Sequence, residues 1–206
     1  MAAFLSHLAV MGKGAAATQD QALNALVFLY KAVLVRPLQA IGGVVRAKKP
    51  PKLPVVLTPK EVGAVLRTLH GTHCLVGCLL YGSGLRRMEA VRLRVKDLDF
   101  DHRSIPVRDG KGGKDRVVTF PDALIVPIRR HLEHVRMWHD KDLADGFGEV
   151  YWPFALARNY PHAAREWHWQ YVFPAGNRAI DPRSSAERRH HIDESGVQKA
   201  VKMAIR

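Results

Sequence analysis

The chain has 206 residues, 47% of them hydrophobic, and carries 32 lysines and arginines against 19 acids, a formal charge of +13. That apolar fraction excludes wholesale disorder and supports one packed domain plus part of a second. The basic excess favours a polyanionic partner, nucleic acid before an anionic membrane surface, over a neutral substrate, and no apolar run approaches the ~20 residues of a spanning helix.

The opening "MAAFLSHLAVMGKG" has no basic segment ahead of its apolar one, so no secretory signal is read there and a cytoplasmic, reducing setting is expected. Residues 4–10 predict a short helix. Residues 19–35 predict a second, with Leu23, Leu26, Val27, Tyr30, Val33 and Leu34 at helical spacing. Two helices are thin for an independent unit, so residues 1–45 read as part of a helical domain. Residues 46–54, "RAKKPPKLP", form a basic linker whose prolines disfavour helix. Arg46, Lys48, Lys49 and Lys52 suit a track along DNA phosphates, with a solvated tether as the alternative.

Residues 55–206 form the larger domain. Thr58, Pro59 and Glu61 in "LTPKEV" make a capping box and predict a helix. A second helix is expected over 72–81. It carries Cys74 and Cys78 four apart on one face, directed into packing rather than into a disulfide. Gly82, Ser83 and Gly84 loosen the chain, and a third helix follows Arg86 with Met88 and Val91 inward. The period then shortens: "DLDF", "SIPVRD" and "DRVVTF", separated by "DHRS" and "GKGGK", predict a small three-stranded antiparallel sheet. Helical spacing returns through Leu124, Ile128, Leu132, Val135 and Trp138. Residues 146–190 read as irregular and aromatic-rich, and "DESGVQKAVKMAIR" as a last helix. The fold class is mainly α with one small sheet.

Two side chains stand out chemically. Arg86 follows a glycine-bearing turn at a helix start, where a guanidinium forks onto two phosphate oxygens. Glu89, three residues on, is placed to orient it. Lys111 sits at a glycine-flanked hairpin tip in "DGKGGKDR", placed to approach a backbone closely and donate a proton to a leaving oxygen. Lys114 and Arg116 of the same hairpin are further DNA-binding candidates. Ordinary surface charges are the alternative for each residue taken singly.

"GSGLRRMEAVRLRVKDLDF" followed by "VRDGKGGKDRVVTFP" resembles the first catalytic box and lysine hairpin of the tyrosine recombinases, the phage integrase family. "EVYWPFALARNYPHAAREWHWQYVFPA" and "DPRSSAERRHHIDES" are similar to the insertion, at about 146–190, of the integron integrases. "FLSHLAV" and "TQDQALNALVFLYKAVL" resemble the later part of that family's helical DNA-clamp domain. The resemblance implies Arg86 as the first active-site arginine and Lys111 as the lysine, with Glu89 behind them. It also implies that Trp169, Pro182, His190 and His191 hold extrahelical bases of folded single-stranded hairpins, with Trp167 secondary to these. The alternatives are a small aromatic core, or metal binding by His162, His168, His190 and His191. The histidine spacing matches no standard zinc pattern and no cysteine is nearby.

The implied reaction is metal-independent DNA strand transfer through a phosphotyrosine, with no cofactor. The expected partners are a double-stranded integration site and folded cassette hairpins, with no membrane. Intact relatives assemble as tetramers on DNA; this chain is expected to be monomeric without it. The family's second arginine, later histidine and nucleophilic tyrosine find no matching positions, nor do the first helices of the clamp domain. The chain is therefore expected to be a fragment that binds DNA without cutting it. The other function classes are a non-catalytic DNA-binding module, an inactive truncated product, and a basic structural protein without a site.

Overall fold

The computed structural model describes residues 1–12, 15–36, 42–48, 55–108, 114–152, 159–160 and 162–206. The chain divides into two units, Met1–Val56 and Leu57–Arg206. In the first, α1 (Ala2–Val10) packs against α2 (Ala16–Phe28), and α2 runs on into a π-helical turn, Leu29–Val33. Leu5 is fully buried between them, and the polar Gln19 is buried beside it. Residues 44–48 run outside regular secondary structure along this pair.

The second unit begins where the capping box places it. Thr58 Oγ1 accepts the Glu61 N–H at 3.3 Å and Glu61 Oε2 accepts the Thr58 N–H at 2.7 Å, opening α3 (Pro59–Thr68). Next comes α4 (Gly71–Ser83), longer than expected. Gly82 and Ser83 are helical rather than loose. Gly84, at φ +63°, supplies the left-handed residue that stops the helix. Gly82 is there for space, because a Cβ would lie 2.6 Å from Cγ of Pro121. The two cysteines are free and half-buried, and burial together with Cys74 pushes the Cys78 thiol up to about 11.

The short helix α5 (Arg87–Val91) leads into a 3-10 turn, Val95–Asp97, and then β1 (Ser104–Val107) pairs antiparallel with β2 (Arg116–Thr119). Three strands were expected. "DLDF" instead contributes one isolated bridge, Asp99 to Ser104. The cause is local: the Asp99 carboxylate accepts the N–H groups of Asp101 and His102 at 3.1 and 2.8 Å and folds the run into a turn. Ile105 lies opposite Val118, and both face the core.

Helix α6 (Asp122–Ala144) buries Leu124, Ile128 and Val135 as its period requires. Trp138 does not continue the stripe: it is 45% exposed, and the inner positions go to His139 and Asp142. Two 3-10 turns follow (Ala163–Arg165 and Trp167–Trp169). A second two-stranded sheet, β3 (Ala179–Ile180) with β4 (Glu187–Arg188), appears where irregular chain was expected. Helix α7 (Glu194–Ala204), capped by Asp193, closes the unit and buries Val197. One core joins α4, α5, both β1–β2 strands, α6 and α7 with Val172 and Phe173.

Residues 170–175 knit this unit together. On one side Val95 N–H reaches Gln170 O and Val172 N–H reaches Leu93 O; on the other, Ile192 N–H reaches Phe173 O and Ala175 N–H reaches His190 O. The backbone of the predicted insertion is thus hydrogen-bonded directly to the chain that leaves α5. Among the described residues, no helix is long and apolar enough to cross a membrane.

Candidate nucleic-acid interface

The adjacent arginines of "LRRME" take different parts. Arg87 turns toward α7, donating to Gln198 Oε1 at 2.7 Å and to Glu194 Oε1 at 3.5 Å. Arg86 stays at the surface, its side chain 54% exposed. Its N–H donates to Glu89 Oε2 at 2.7 Å and its Nη1 to Glu89 Oε1 at 2.9 Å. One carboxylate therefore fixes both ends of Arg86 and leaves the rest of the guanidinium facing outward.

Glu89 has a second partner. Strand alternation turns Arg116 inward with Val118, opposite Val107, while Val117 is 68% exposed. From there Arg116 donates Nη1 to Glu89 Oε1 at 2.9 Å and Nη2 to Oε2 at 2.6 Å. These bonds, with burial opposing them and the Arg86 bonds adding to them, pull the Glu89 carboxyl down to about 2. Arg116, expected among the DNA contacts, has its side chain 32% exposed while both terminal nitrogens donate to Glu89. Lys114 is exposed beside it. Lys111 lies outside the described residues, in the segment that joins β1 to β2, as do Lys49 and Lys52 of the linker.

Trp169 is half-buried at the end of its 3-10 turn. Lys96 Nζ stands 4.2 Å from its ring centroid, Trp152 meets it edge to face at 4.2 Å, and His168 lies 5.4 Å away. Arg94 holds the backbone behind, donating to the carbonyls of Trp169 and Tyr151, while its guanidinium lies 4.6 Å from the ring centroid of the buried Tyr171. Among the described residues the buried Trp152 indole N–H has no hydrogen-bond partner. Trp167 is separate from this group, resting against His139 and under Arg136.

Pro182 is exposed in the turn between β3 and β4. The buried Asp181 braces that turn, accepting from the Arg183 N–H at 2.9 Å and from Arg188 Nη1 at 3.1 Å. His190 and His191 follow β4 and are half-buried. Burial keeps His190 below the ordinary imidazole range despite the opposing charge of Asp181. His191 stands edge-on to Tyr171 at 5.4 Å. The whole hairpin hangs on Asp142 of α6. Its carboxylate, 4% exposed, accepts Arg178 at 3.0 Å and Arg189 at 2.6 and 2.9 Å, while Arg189 also donates to the Ala175 and Gly176 carbonyls. Burial alone raises the Asp142 carboxyl, but the two arginines outweigh it and the net shift is downward. Among the described residues, no three His, Cys, Asp or Glu side chains gather as a metal site, and the four histidines weighed for one do not converge.

Sequence reading missed Arg94, Lys96, Trp152 and Asp142. Arg94 and Lys96 sit in "RLRVKDL" among other cations, and only the return of residues 169–172 singles them out. Asp142 had one sequence signal, an acid on the inner stripe of α6 in phase with Ile128 and Val135.

Residues 56–205 match the model of the phage integrase family, and residues 1–40 match that of the phage integrase N-terminal SAM-like domain. The chain belongs to the phage integrase family. This integrase family member is 46% identical over 203 residues to an integrase/recombinase of Escherichia coli and, to the same extent, to one of Pseudomonas aeruginosa. Each match covers 98% of this chain and 60% of the relative, so the chain spans about 60% of the length of these curated proteins. It is 37% identical over 137 residues to the tyrosine recombinase XerA of Thermococcus kodakarensis, covering 63% of this chain and 46% of that protein.

Proposed function

We propose that this integrase chain is the DNA-gripping part of a site-specific tyrosine recombinase that integrates and excises integron gene cassettes, and that it recognises folded single-stranded hairpins. One observation carries the reading: Arg86 is fixed at two points by the half-buried Glu89 carboxylate, yet its guanidinium remains open to an incoming phosphate. A donor held in advance on developing phosphate charge stabilises a transition state without reorganising during the reaction.

In the proposed reaction a tyrosine oxygen attacks the scissile phosphorus. The P–O5′ bond breaks as the P–O(Tyr) bond forms, and Lys111 protonates the departing 5′ oxygen. A second 5′ hydroxyl later displaces the tyrosine and restores the phosphodiester, so no external energy source is consumed. Arg86 holds the non-bridging oxygens throughout. The hairpin part of the reading is supported by the half-exposed Trp169 with Lys96 above it, and by Pro182 and the two histidines carried on one braced hairpin; stacking on an aromatic tolerates any base.

The second reading, a DNA-binding module without strand cleavage, is favoured for the 206 residues themselves by where the tyrosines lie. Tyr171 is buried between Arg94 and His191, and Tyr151 lies under Arg183. Neither is placed as a free nucleophile, Tyr81 and Tyr160 stand outside the family's nucleophile context, and Tyr30 lies in the π-helical turn of the first unit, within the SAM-like match.

The test compares binding to a hairpin with extrahelical bases and to a fully paired duplex of the same sequence across a salt series. Tighter binding to the hairpin and a steep salt dependence are expected. Equal affinity for the two would remove the hairpin reading. A salt-independent constant would remove phosphate tracking altogether.

A further inference from the structure

Gln19 is the one buried polar side chain among the described residues of unit Met1–Val56. A glutamine at the inner face of a two-helix contact is costly unless its amide is satisfied. Here it is, by backbone on both sides. Nε2 donates to Leu5 O in α1 at 2.8 Å and to Val45 O at 2.7 Å, and Oε1 accepts the Ala47 N–H at 3.0 Å. Ser6 Oγ accepts the Val45 N–H at 3.0 Å. Residues 45 and 47 are therefore stitched along the helix pair by their backbone groups. Arg46 and Lys48 are exposed, and among the described residues neither side chain has a hydrogen-bond or ion-pair partner.

A freely hinged basic tether would leave these two cations to be ordered only on binding. Fixing backbone costs conformational entropy, and the stitch has met that cost already in the free protein. We infer that Gln19 is a positioning residue for DNA binding: it holds the Arg46–Lys48 segment extended on the helical unit so that both cations meet a phosphate backbone pre-ordered. This rests on the DNA-binding reading above and goes beyond it. It names an uncharged residue of α2 as a determinant of affinity, and it makes this part of the expected linker a fixed strip.

Charge and order separate in a salt series, because the slope counts the phosphates neutralised while the affinity at fixed salt also records the ordering cost. The 206-residue chain with Gln19→Ala, Arg46→Ala or Lys48→Ala would be titrated with a duplex of random sequence, alongside amide hydrogen exchange. Each charge deletion should reduce the slope by ~0.9. Gln19→Ala should keep the parent slope and bind about tenfold more weakly, equivalent to ~1.4 kcal/mol. The Ala47 amide, whose acceptor is Gln19 Oε1, should lose protection while those of α1 and α2 keep theirs. A Gln19→Ala chain that loses this protected amide yet binds as tightly as the parent overturns the inference. Unchanged slopes in both charge deletions would instead show that the segment is not on phosphate, which is the failure of the underlying reading. If Gln19→Ala unfolds the helix pair, Ser6→Ala removes only the acceptor for the Val45 N–H. It should weaken binding severalfold at unchanged slope, and parent affinity in that variant counts against the inference.

Discussion

Arg116 grips Glu89 with both terminal nitrogens, at 2.9 and 2.6 Å, and Glu89 in turn holds Arg86 by its backbone and its guanidinium. The strand that leaves the Lys111 hairpin is thereby tied to the arginine that opens α5. Glu89→Gln keeps the shape and removes the charge, and should lower unfolding free energy by about 1 kcal/mol, because two partly exposed arginines exchange charge-assisted bonds for neutral ones. The pH dependence follows in sign. The folded-state value, about 2, lies below the ordinary 4.5, so the contribution is complete above 4.5 and disappears as pH falls toward 2. Urea titrations of both chains across that window should show the gap closing as the solution is acidified. A gap of constant size would mean that the ion pair is not its source.

Gly82→Ala should destabilise the second unit by about 1–3 kcal/mol through overpacking. The new methyl would meet the Pro121 ring at 2.6 Å, and a proline ring has little freedom to retreat. Gly84→Ala should also cost stability, for a different reason: its φ of +63° disfavours any Cβ although nothing lies near it. Serine at position 82 should behave like alanine. Wild-type denaturation midpoints in Gly82→Ala would show that α4 and Pro121 do not meet as described.

Asp142→Asn should cost about 1–3 kcal/mol, because Arg189 loses both of its carboxylate bonds while Arg178 keeps Asp145 and Glu187. The loss should also be regional. Amides of β3, β4 and the residues around His190 should exchange faster than those of α4. Uniform loss of protection would place Asp142 in the global core instead of at the root of the hairpin.

Trp169→Ala should weaken binding to a hairpin with extrahelical bases about tenfold more than binding to a perfect duplex, in line with ~1–3 kcal/mol for one stacked base. Lys96→Met keeps much of the apolar bulk above the ring and removes the cation; it should reduce affinity for both DNAs while sparing stability. Equal losses on hairpin and duplex for Trp169→Ala would assign the indole to packing with Trp152.

The 206 residues should form no covalent adduct with a nicked suicide duplex that traps phosphotyrosine in an intact relative run in parallel. A protein–DNA band mapped to any tyrosine of this chain would reassign the nucleophile.

What the sequence displayed well was periodic or capped. The box at Thr58 and Glu61, the Leu124–Ile128–Val135 stripe and the Val107–Arg116 hairpin are local patterns, and each is found in the structure. Arg86 and Glu89 belonged to that class, three residues apart at a helix start. What stayed hidden depended on residues far along the chain. Nothing near Arg116 reveals that a glutamate 27 positions earlier occupies its guanidinium. Trp138 fitted the stripe of α6 but yielded it to His139 and Asp142, because the hairpin arginines supply a buried carboxylate with partners that no local pattern displays. The third strand failed for a short-range reason, since Asp99 caps its own turn before a ladder forms.

The strip at residues 170–175 bears on how the second unit is made. Arg94 finds its carbonyl partner 75 residues later, and residues 173 and 175 then wait for 192 and 190. Contacts of such long sequence separation close slowly, since a large loop must be brought together before any bond rewards it. On a ribosome, the stretch around Arg94 would emerge with its edge bare and remain so until residues 169–172 had been added, at ~5–20 residues per second. During those seconds the nascent chain exposes unpaired backbone beside an apolar core, and that interval is the point in the protein's life at which chaperone capture or aggregation would act on it.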